Sequence, residues 1–443
     1  MALVLAALFT TLVLGIPAAL AIDRECRGGA LVGLSFLYGS GLLYGALLTL
    51  SLLHITWSAI TTTVAALAVA AGLAFVARRK SLEATGTAGR AWSPAALPID
   101  LLTAYTLFSY ALYATLARVW EWDFWAIWGL KARVFVEASG IDWRFLRSPF
   151  NEFCHPDYPL LLPLNYAYTA LIGGGWDDRW LGLFGVAYGL ALLLIVRSLA
   201  SREMPPVAAA VLTFAATAFA LSHYVGLAEA PMIAFGSAGV LFIRRAVMFD
   251  ERAAMRHGAV LLGLAGSTKN EGLALIVAVG AAMLLVDRSH WRRLLRLWPA
   301  VAIVAPWTII RIALNLHTDI VRGGAFARAV IRLHEGISLL QRLIAQLPDS
   351  WMWILMLAAL VIASHRVRAA ERFVFSVVAI QLFFYVGAYL VTPHDLEWHI
   401  ETSWPRLTRQ IAVPLLFSVT VLLARTFAGE ETLAHAEAGQ DLH

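Results

Sequence analysis

An acidic residue, Asp123, stands among four tryptophans in the stretch from Trp120 to Arg133. This stretch follows an apolar run long enough to cross a membrane, at the depth where aromatic belts form. Indole rings that partly desolvate a carboxylate raise its basicity, so that it can accept a proton from a hydroxyl group. Asp123 is therefore a candidate base. The alternative is an interfacial anchor whose carboxylate is solvated.

Two further segments place charged residues beside apolar runs. Glu229 precedes Pro231 at the start of a predicted span, and Lys269 and Glu271 interrupt a long apolar stretch. Ionisable groups at membrane depth are costly and are typical of functional sites. A discontinuous helix at Lys269 would direct backbone N–H groups and the ammonium group toward an anion. The alternatives are helix capping by Glu229 and an internal Lys269–Glu271 ion pair that joins two short helices.

The stretch from His155 to Leu164 contains three prolines. Proline disrupts a regular helix, so we predict a rigid turn up to about residue 164 and then a short helix parallel to the membrane. His155, Asp157 and Tyr158 are candidate substrate-binding residues in this turn. Arg179 begins the next predicted span, where it is either a phosphate ligand or an anchor.

The segment before the last predicted span, from Thr392 to Leu407, contains three acids, two histidines and Arg406. A guanidinium group binds phosphate oxygens through a bidentate fork, which makes Arg406 a candidate phosphate ligand. His399 is a candidate substrate-binding residue. A zinc site formed by His394, Asp395 and His399 is conceivable, but this spacing matches no strong metal motif. We predict no metal and no cofactor.

The elements that position these residues follow from the composition. Of the 443 residues, 60% are hydrophobic and 14% are charged, whereas soluble proteins have about 45–50% and about 25%. Apolar runs of about 20 residues recur along the chain, each long enough to cross ~30 Å of hydrocarbon. This pattern excludes a soluble enzyme, a disordered chain and a disulfide scaffold, and it differs from the alternation of a membrane barrel. We predict an all-α polytopic membrane protein.

The positive-inside rule orients the predicted spans. If residues 158–174 do not cross and residues 257–286 cross twice, the basic clusters share one side, near Arg78, Arg197, Arg244, Arg288 and Arg366. This topology has about 13 spans in a bacterial inner membrane, with the N-terminus outside and the C-terminus in the cytoplasm. We interpret the net charge of +5 as this orientation signal, without a nucleic-acid partner. The candidate residues then lie on the outer face, in or beside the long segments 119–179, 316–349 and 392–409.

The order of these residues resembles the C-type fold of integral-membrane glycosyltransferases (GT-C). A carboxylate follows a span, a His-x-x-x-Pro-Leu turn comes next, an arginine opens the following span, and a later outer acid precedes proline. The resemblance is to bacterial family-39-like proteins, related to protein O-mannosyltransferases and lipid A aminoarabinose transferases. It covers about residues 98–427, so that residues 1–97 are three additional spans and residues 428–443 a cytoplasmic tail.

This resemblance implies the transfer of a sugar, with inversion, from a polyprenyl-phosphate donor to an acceptor hydroxyl on the extracytoplasmic face. The acceptor would be a glycan, a lipid or a protein. Asp123 corresponds to the base and Glu229 to a second outer acid, for which relatives more often have aspartate. Arg179, Lys269 and Arg406 would neutralise the donor phosphate.

The resemblance also implies that His155 orients the donor or the acceptor. Further substrate-binding candidates are Asp157, Tyr158, Glu271 and His399. A lipid-phosphate donor requires no nucleotide-binding loop, and neither Gly-x-Gly-x-x-Gly nor a Walker sequence occurs. Three alternatives stay open: a secondary transporter, a ligase or polymerase of lipid-linked glycans, and a non-catalytic assembly subunit.

Overall fold

In the computed structural model, the described residues are 1–79, 93–223, 225–317, 323–334, 336–347 and 350–427. The structure is 83% helical, with no β-strand among these residues, which confirms the predicted all-α class. The predicted cytoplasmic tail, residues 428–443, lies outside the described residues. Parts of the predicted external segment 316–349 also lie outside them.

The helices are numbered in chain order. The first seven are α1 (Ala2–Ile22), α2 (Gly28–Leu52), α3 (Ala59–Arg79), α4 (Leu97–Leu116), α5 (Gly129–Glu137), α6 (Trp143–Arg147) and α7 (Leu161–Gly173). The next six are α8 (Leu183–Glu203), α9 (Pro206–Ala220), α10 (Glu229–Phe249), α11 (Arg252–Gly266), α12 (Asn270–Val286) and α13 (Trp298–Ala313). The last five are α14 (Ala325–His334), α15 (Gly336–Ala345), α16 (Ser350–Ile362), α17 (Ala369–Val391) and α18 (Leu396–Phe427).

Eight helical segments of the described residues are long and apolar enough to cross a membrane. They are α1, α2, α8, α10, α17 and α18, together with α4 and α13 extended by their preceding turns. Three shorter apolar helices cover Ala59–Phe75, Pro206–Ala220 and Asn270–Val286. By the length and composition of its helices the chain is a multi-pass membrane protein. The count of about 13 spans and the orientation in the membrane stay predictions.

Close backbone contact joins α1 to α2. A Cβ atom on Gly15 would lie 1.8 Å from the carbonyl oxygen of Ser35, and one on Gly39 would lie 1.7 Å from that of Thr11. Only glycine permits these distances, as at other interfaces of small residues between membrane helices. α2 also packs against α7 and α8. The N-terminal helices are thus part of the same bundle as the rest of the chain.

Two breaks in the apolar pattern form the predicted turns. α11 ends at Gly266 and α12 begins at Asn270, so the stretch 257–286 contains two helices. α7 begins at Leu161, earlier than the predicted residue 164. The reason is that Pro163 lies in the first turn of the helix, where its missing N–H would have no helical partner. With 13 residues, α7 rises about 20 Å, which is shorter than the ~30 Å of hydrocarbon.

Two charged networks lie at opposite ends of α10. At one end Arg244 forms ion pairs of 2.7 Å with both Glu203 and Glu371. At the other end Glu229 contacts Lys269. Fifteen residues separate Glu229 from Arg244, which corresponds to about 22 Å along the helix. We call the end that contains Arg244 the basic end of the bundle, because Arg197, Arg202, Arg245 and Arg425 also lie there.

Candidate functional site

Five of the predicted site residues meet at the end of the bundle opposite the basic end. We call this group the carboxylate–cation cluster; it consists of Asp123, Glu229, Lys269, Glu271 and Arg406. An Arg406 terminal nitrogen lies 2.5 Å from Asp123 Oδ2, and its Nε lies 3.5 Å from Glu229 Oε1. Lys269 Nζ lies 3.0 Å from Glu229 Oε1 and 2.9 Å from Glu271 Oε1. Glu229 therefore contacts both cations of the cluster.

The cluster has a buried side and an accessible side. Glu229 and Lys269 have side chains only 2% and 6% exposed. Asp123, at 28%, and Arg406, at 19%, are more accessible. An arriving substrate would therefore meet the Asp123–Arg406 pair before the inner Glu229–Lys269 pair.

A π-helical turn at Phe124–Trp128 directly follows Asp123 and leads into α5. Such turns frequently occur at functional sites. Two glycines fit this segment into the bundle. A Cβ on Gly129 would lie 2.6 Å from the Phe124 ring, and one on Gly226 would lie 2.5 Å from Val119. Gly226 also has φ +85°, a left-handed conformation that favours glycine. Gly226 stands three residues before Glu229, and Val119 stands four residues before Asp123. The contact between Gly226 and Val119 therefore brings Asp123 and Glu229 close together.

The turn before α7 contacts the break between α11 and α12. The backbone N–H of Leu161 donates to the carbonyl of Ser267 over 3.1 Å. Asn270 donates to Asp157 Oδ2 over 2.9 Å, and Arg311 donates to the Asn270 side-chain oxygen over 3.2 Å. Burial raises the pKa of the Asp157 carboxyl, and the Asn270 hydrogen bond and Lys131 oppose this shift. Asp157 is thus joined to Asn270, the residue between Lys269 and Glu271.

His155, Tyr158 and Trp128 form a stack of rings beside the cluster. The His155 and Tyr158 ring centroids are 4.7 Å apart, and those of Trp128 and Tyr158 are 5.6 Å apart. His155 has φ +49°, an uncommon conformation for a residue other than glycine. Tyr158 lies close enough to Arg406 for an electrostatic interaction. Trp128 is buried at the inner end of the stack, so His155 and Tyr158 are its more accessible members, next to the cation.

Arg179 and His399 lie apart from the cluster. Arg179 is 63% exposed on its side chain and binds Asp177 at 2.7 Å, which lowers the pKa of that carboxyl to about 2. The His399 ring packs against Tyr389 with centroids 5.1 Å apart. On α18, His399 and Arg406 are seven residues apart and therefore lie on one face of the helix. His399 is thus about 10 Å along the helix from Arg406, and Arg179 lies at the surface.

The site also contains residues that the sequence analysis did not select. Glu121 stands two residues before Asp123, and its carboxyl pKa is raised: burial is the largest cause, Arg406 opposes it, and the charges of Asp123 and Glu229 add to it. Its position between Trp120 and Trp122 could have identified Glu121 as a site residue from the sequence. Arg311 interrupts the apolar run of α13, which was also a signal in the sequence. Among the described residues no group of three or more His, Cys, Asp or Glu side chains could hold a metal ion.

Lys131 makes the stability of this region depend on pH. Its buried ammonium group donates to the His155 carbonyl over 2.5 Å, and burial lowers its pKa from 10.5 to about 8. Between these values the unfolded chain binds more protons than the folded chain, so the free energy of unfolding rises with pH. We expect the melting temperature of the purified protein to rise from about pH 8 to about pH 10, and the Lys131→Met variant to show a smaller rise. Identical pH profiles for the two proteins would contradict this prediction.

Comparison with protein-family models, curated proteins and solved structures finds no match to this chain. The function is therefore argued from the geometry of the site, and the similarity to the C-type glycosyltransferases stays a prediction.

Proposed function

We propose that this protein is a membrane glycosyltransferase. It moves a sugar from a polyprenyl-phosphate donor to an acceptor hydroxyl on the extracytoplasmic face, with inversion at the anomeric carbon. The proposal rests above all on one observation, the accessible ion pair between Asp123 and Arg406. A carboxylate and a guanidinium group at one accessible point are the two groups that this reaction needs, a base and a phosphate ligand.

Asp123 acts as the base in this proposal. The acceptor oxygen attacks the anomeric carbon, the bond from that carbon to the phosphate oxygen breaks, and the hydroxyl proton passes to the Asp123 carboxylate. Polyprenyl phosphate leaves with the electron pair of the broken bond. In the absence of donor, Arg406 neutralises Asp123; the arriving phosphate competes for the same guanidinium group and leaves the carboxylate available.

Arg406 is the principal phosphate ligand in this proposal, because it is the more accessible of the two cations in the cluster. Lys269 is buried against Glu229 and Glu271, so it acts by holding Glu229 in place and by adding positive potential. Arg179 is bound to Asp177 at the surface, and the proposal gives it no role. His155 and Tyr158 contact the sugar or the acceptor through the polar edges of their rings, because the ring faces are stacked on one another.

The geometry favours this function over a secondary transporter. Glu229 is the first residue of α10, and Lys269 directly precedes α12. Because α10 is an unbroken helix long enough to cross a membrane, Glu229 and its partner Lys269 lie at one end of a span, whereas transporters bind their substrates near the middle of the membrane. A ligase or polymerase of lipid-linked glycans would use similar groups, and the size of the transferred unit distinguishes it.

Mass analysis of lipids and glycans from cells that lack this protein tests the function. We expect a polyprenyl-phosphate sugar to accumulate and one glycan mass to disappear, both restored by the wild-type protein. The missing mass identifies the transferred sugar. A missing mass equal to a whole glycan would instead indicate a ligase or polymerase. An unchanged pool of lipid-linked sugar would contradict the transferase and favour transport or assembly.

Arg406→Ala should weaken the binding of the donor more than that of the acceptor. Hydrogen bonds to charged groups contribute about 1.5–3 kcal/mol, so we expect the affinity for a short-chain polyprenyl phosphate to fall by roughly 10- to 100-fold. The acceptor KM should change much less. Binding of the polyprenyl phosphate to the purified protein measures the donor affinity. Initial rates of transfer at varied acceptor concentrations measure the acceptor KM.

Arg406→Lys is the matched variant for this test, because it retains the positive charge beside Asp123 without the bidentate fork. It should fold as the wild type and show an intermediate donor affinity. A larger effect on the acceptor than on the donor in both variants would contradict the phosphate role.

A further inference from the structure

A groove of about 850 Å³ lies between the N-terminal helices and the rest of the bundle. α1, α2, α11 and α13 line it together with Leu73 of α3. Its walls are largely apolar; they include Leu42, Leu48, Leu52, Val260 and Ile303. Along α2 the lining extends from Tyr38 to Leu52, which corresponds to about 21 Å. One leaflet of a bilayer has about 15 Å of hydrocarbon, half of the ~30 Å core. The groove is therefore long enough for extended acyl chains.

Three arginines line the groove where it reaches the basic end of the bundle: Arg252, Arg256 and Arg296. All three are exposed. Asp250 lies 3.5 Å from a terminal nitrogen of Arg296. Trp298, 68% exposed, also lines the groove beside them, as tryptophan does at the headgroup level of a membrane. An apolar groove with a cationic rim is complementary to a molecule with apolar chains and an anionic head.

We propose that this groove binds an anionic phospholipid of the membrane, with its phosphate at the three arginines and its acyl chains along α2. Basic pockets between membrane helices bind anionic headgroups in this way. A soluble phosphate compound would leave the apolar walls without a partner. The lipid would also fill the gap between α2 and α13, and so join the N-terminal helices to the rest of the bundle.

The polyprenyl-phosphate donor fits the groove less well, because the arginines of the groove are far from the carboxylate–cation cluster. Arg256 and Lys269 are thirteen residues apart on α11 and its continuation, which corresponds to about 20 Å along the helix. A phosphate held by the arginine rim would therefore lie far from the carboxylate–cation cluster. The groove and the cluster are two separate sites, and the lipid proposal stands independently of the proposed function.

A small residue keeps the groove open. A Cβ atom on Gly45 would have no heavy atom within 4 Å, and Gly45 lines the groove. A phenylalanine at this position would extend into the space of the acyl chains without a clash at its Cβ. Gly387 on α17 is a matched control, because its Cβ would also meet nothing within 4 Å and no residue of α17 lines the groove.

Native mass spectrometry of the full chain in nanodiscs tests the proposal, with phosphatidylglycerol and phosphatidylethanolamine of the same acyl chains. We expect wild-type protein to retain phosphatidylglycerol at least tenfold more tightly. The triple variant Arg252→Gln, Arg256→Gln, Arg296→Gln should lose this preference, and Gly45→Phe should lose the bound lipid altogether. Gly387→Phe should behave as wild type. The triple variant changes only exposed side chains, so it folds even if Gly45→Phe does not.

Three results would overturn the proposal. The first is a preference for phosphatidylglycerol that persists in the triple variant. The second is displacement of the lipid by glycerol phosphate at equal concentration, because a soluble headgroup does not use the apolar walls. The third is tighter retention of a polyprenyl phosphate than of phosphatidylglycerol, which would assign the groove to the sugar donor. None of these results depends on whether Asp123 is catalytic.

Discussion

Replacement of Asp123 by asparagine is expected to lower the rate of sugar transfer by roughly 10²- to 10⁴-fold, the usual contribution of a general base. Asparagine has the shape of aspartate, but its amide cannot act as a base for the proton of the acceptor hydroxyl group. Arg406 retains its contact with Glu229 in this variant, so the phosphate ligand stays in place. We therefore expect donor binding and the melting temperature to change little while turnover is lost. The measurement is single-turnover transfer by the purified protein, with the donor identified by the mass analysis.

Glu137→Gln is the matched control for this experiment. Glu137 belongs to the same segment of the chain, but its side chain is 61% exposed and forms an i, i+4 ion pair with Arg133. Exposed pairs of this kind contribute little to stability, so Glu137→Gln should transfer sugar at the wild-type rate. Near-normal turnover in Asp123→Asn would refute the assignment of the base. Loss of activity in both variants would indicate a general sensitivity of this segment rather than a catalytic role.

Lys269→Met is expected to destabilise the folded protein more than any other single change proposed for the site. The substitution removes the cation that contacts both Glu229 and Glu271, and it leaves the Glu229 carboxylate, 2% exposed, with Arg406 at 3.5 Å. Removal of one partner from a buried ion pair typically costs about 3–5 kcal/mol. We expect a clear fall in the melting temperature and in the yield of folded protein.

The double variant Lys269→Met, Glu229→Gln separates stability from function. It removes the uncompensated charge, so we expect most of the lost melting temperature to return. Transfer should stay low, because the Glu229 carboxylate and the positive potential of Lys269 are both absent. Lys131→Met is the comparison, since it removes another buried lysine whose ammonium group donates to a backbone carbonyl. An equal loss of stability in Lys269→Met and its double variant would contradict the structural role assigned to Lys269.

Much of the site was predictable because charged residues stand out in an apolar chain. Asp123, Glu229, Lys269 and Arg406 each interrupt or border a hydrophobic run, and burying an isolated charge is so costly that such residues must find partners. The sequence could not show which partners they would find. The internal pair of Lys269 with Glu271 was one of the alternatives, and the structure contains this pair together with Glu229. The ion pair is therefore present, and a role of Lys269 toward an anion stays a prediction.

The positions of the partners depended on packing between distant helices. Asp123 and Arg406 are 283 residues apart, and no local pattern records that α18 places its arginine beside the turn after α4. The π-helical turn at Phe124–Trp128 depends in the same way on contacts of Gly129 and Gly226 with the rings and side chains around them. The surface position of Arg179 is different, because its partner Asp177 is only two residues away and was visible in the sequence.

The sequence by itself determined that the chain is a helical, multi-pass membrane protein and that its acids and cations lie at the borders of apolar runs. These properties follow from transfer free energies, which act residue by residue and are additive along the chain. Only the tertiary structure decided which charges meet, which of them stay accessible, and where a groove remains open between α2 and α13. These properties depend on the shapes of side chains that lie far apart in sequence and meet only when the helices pack.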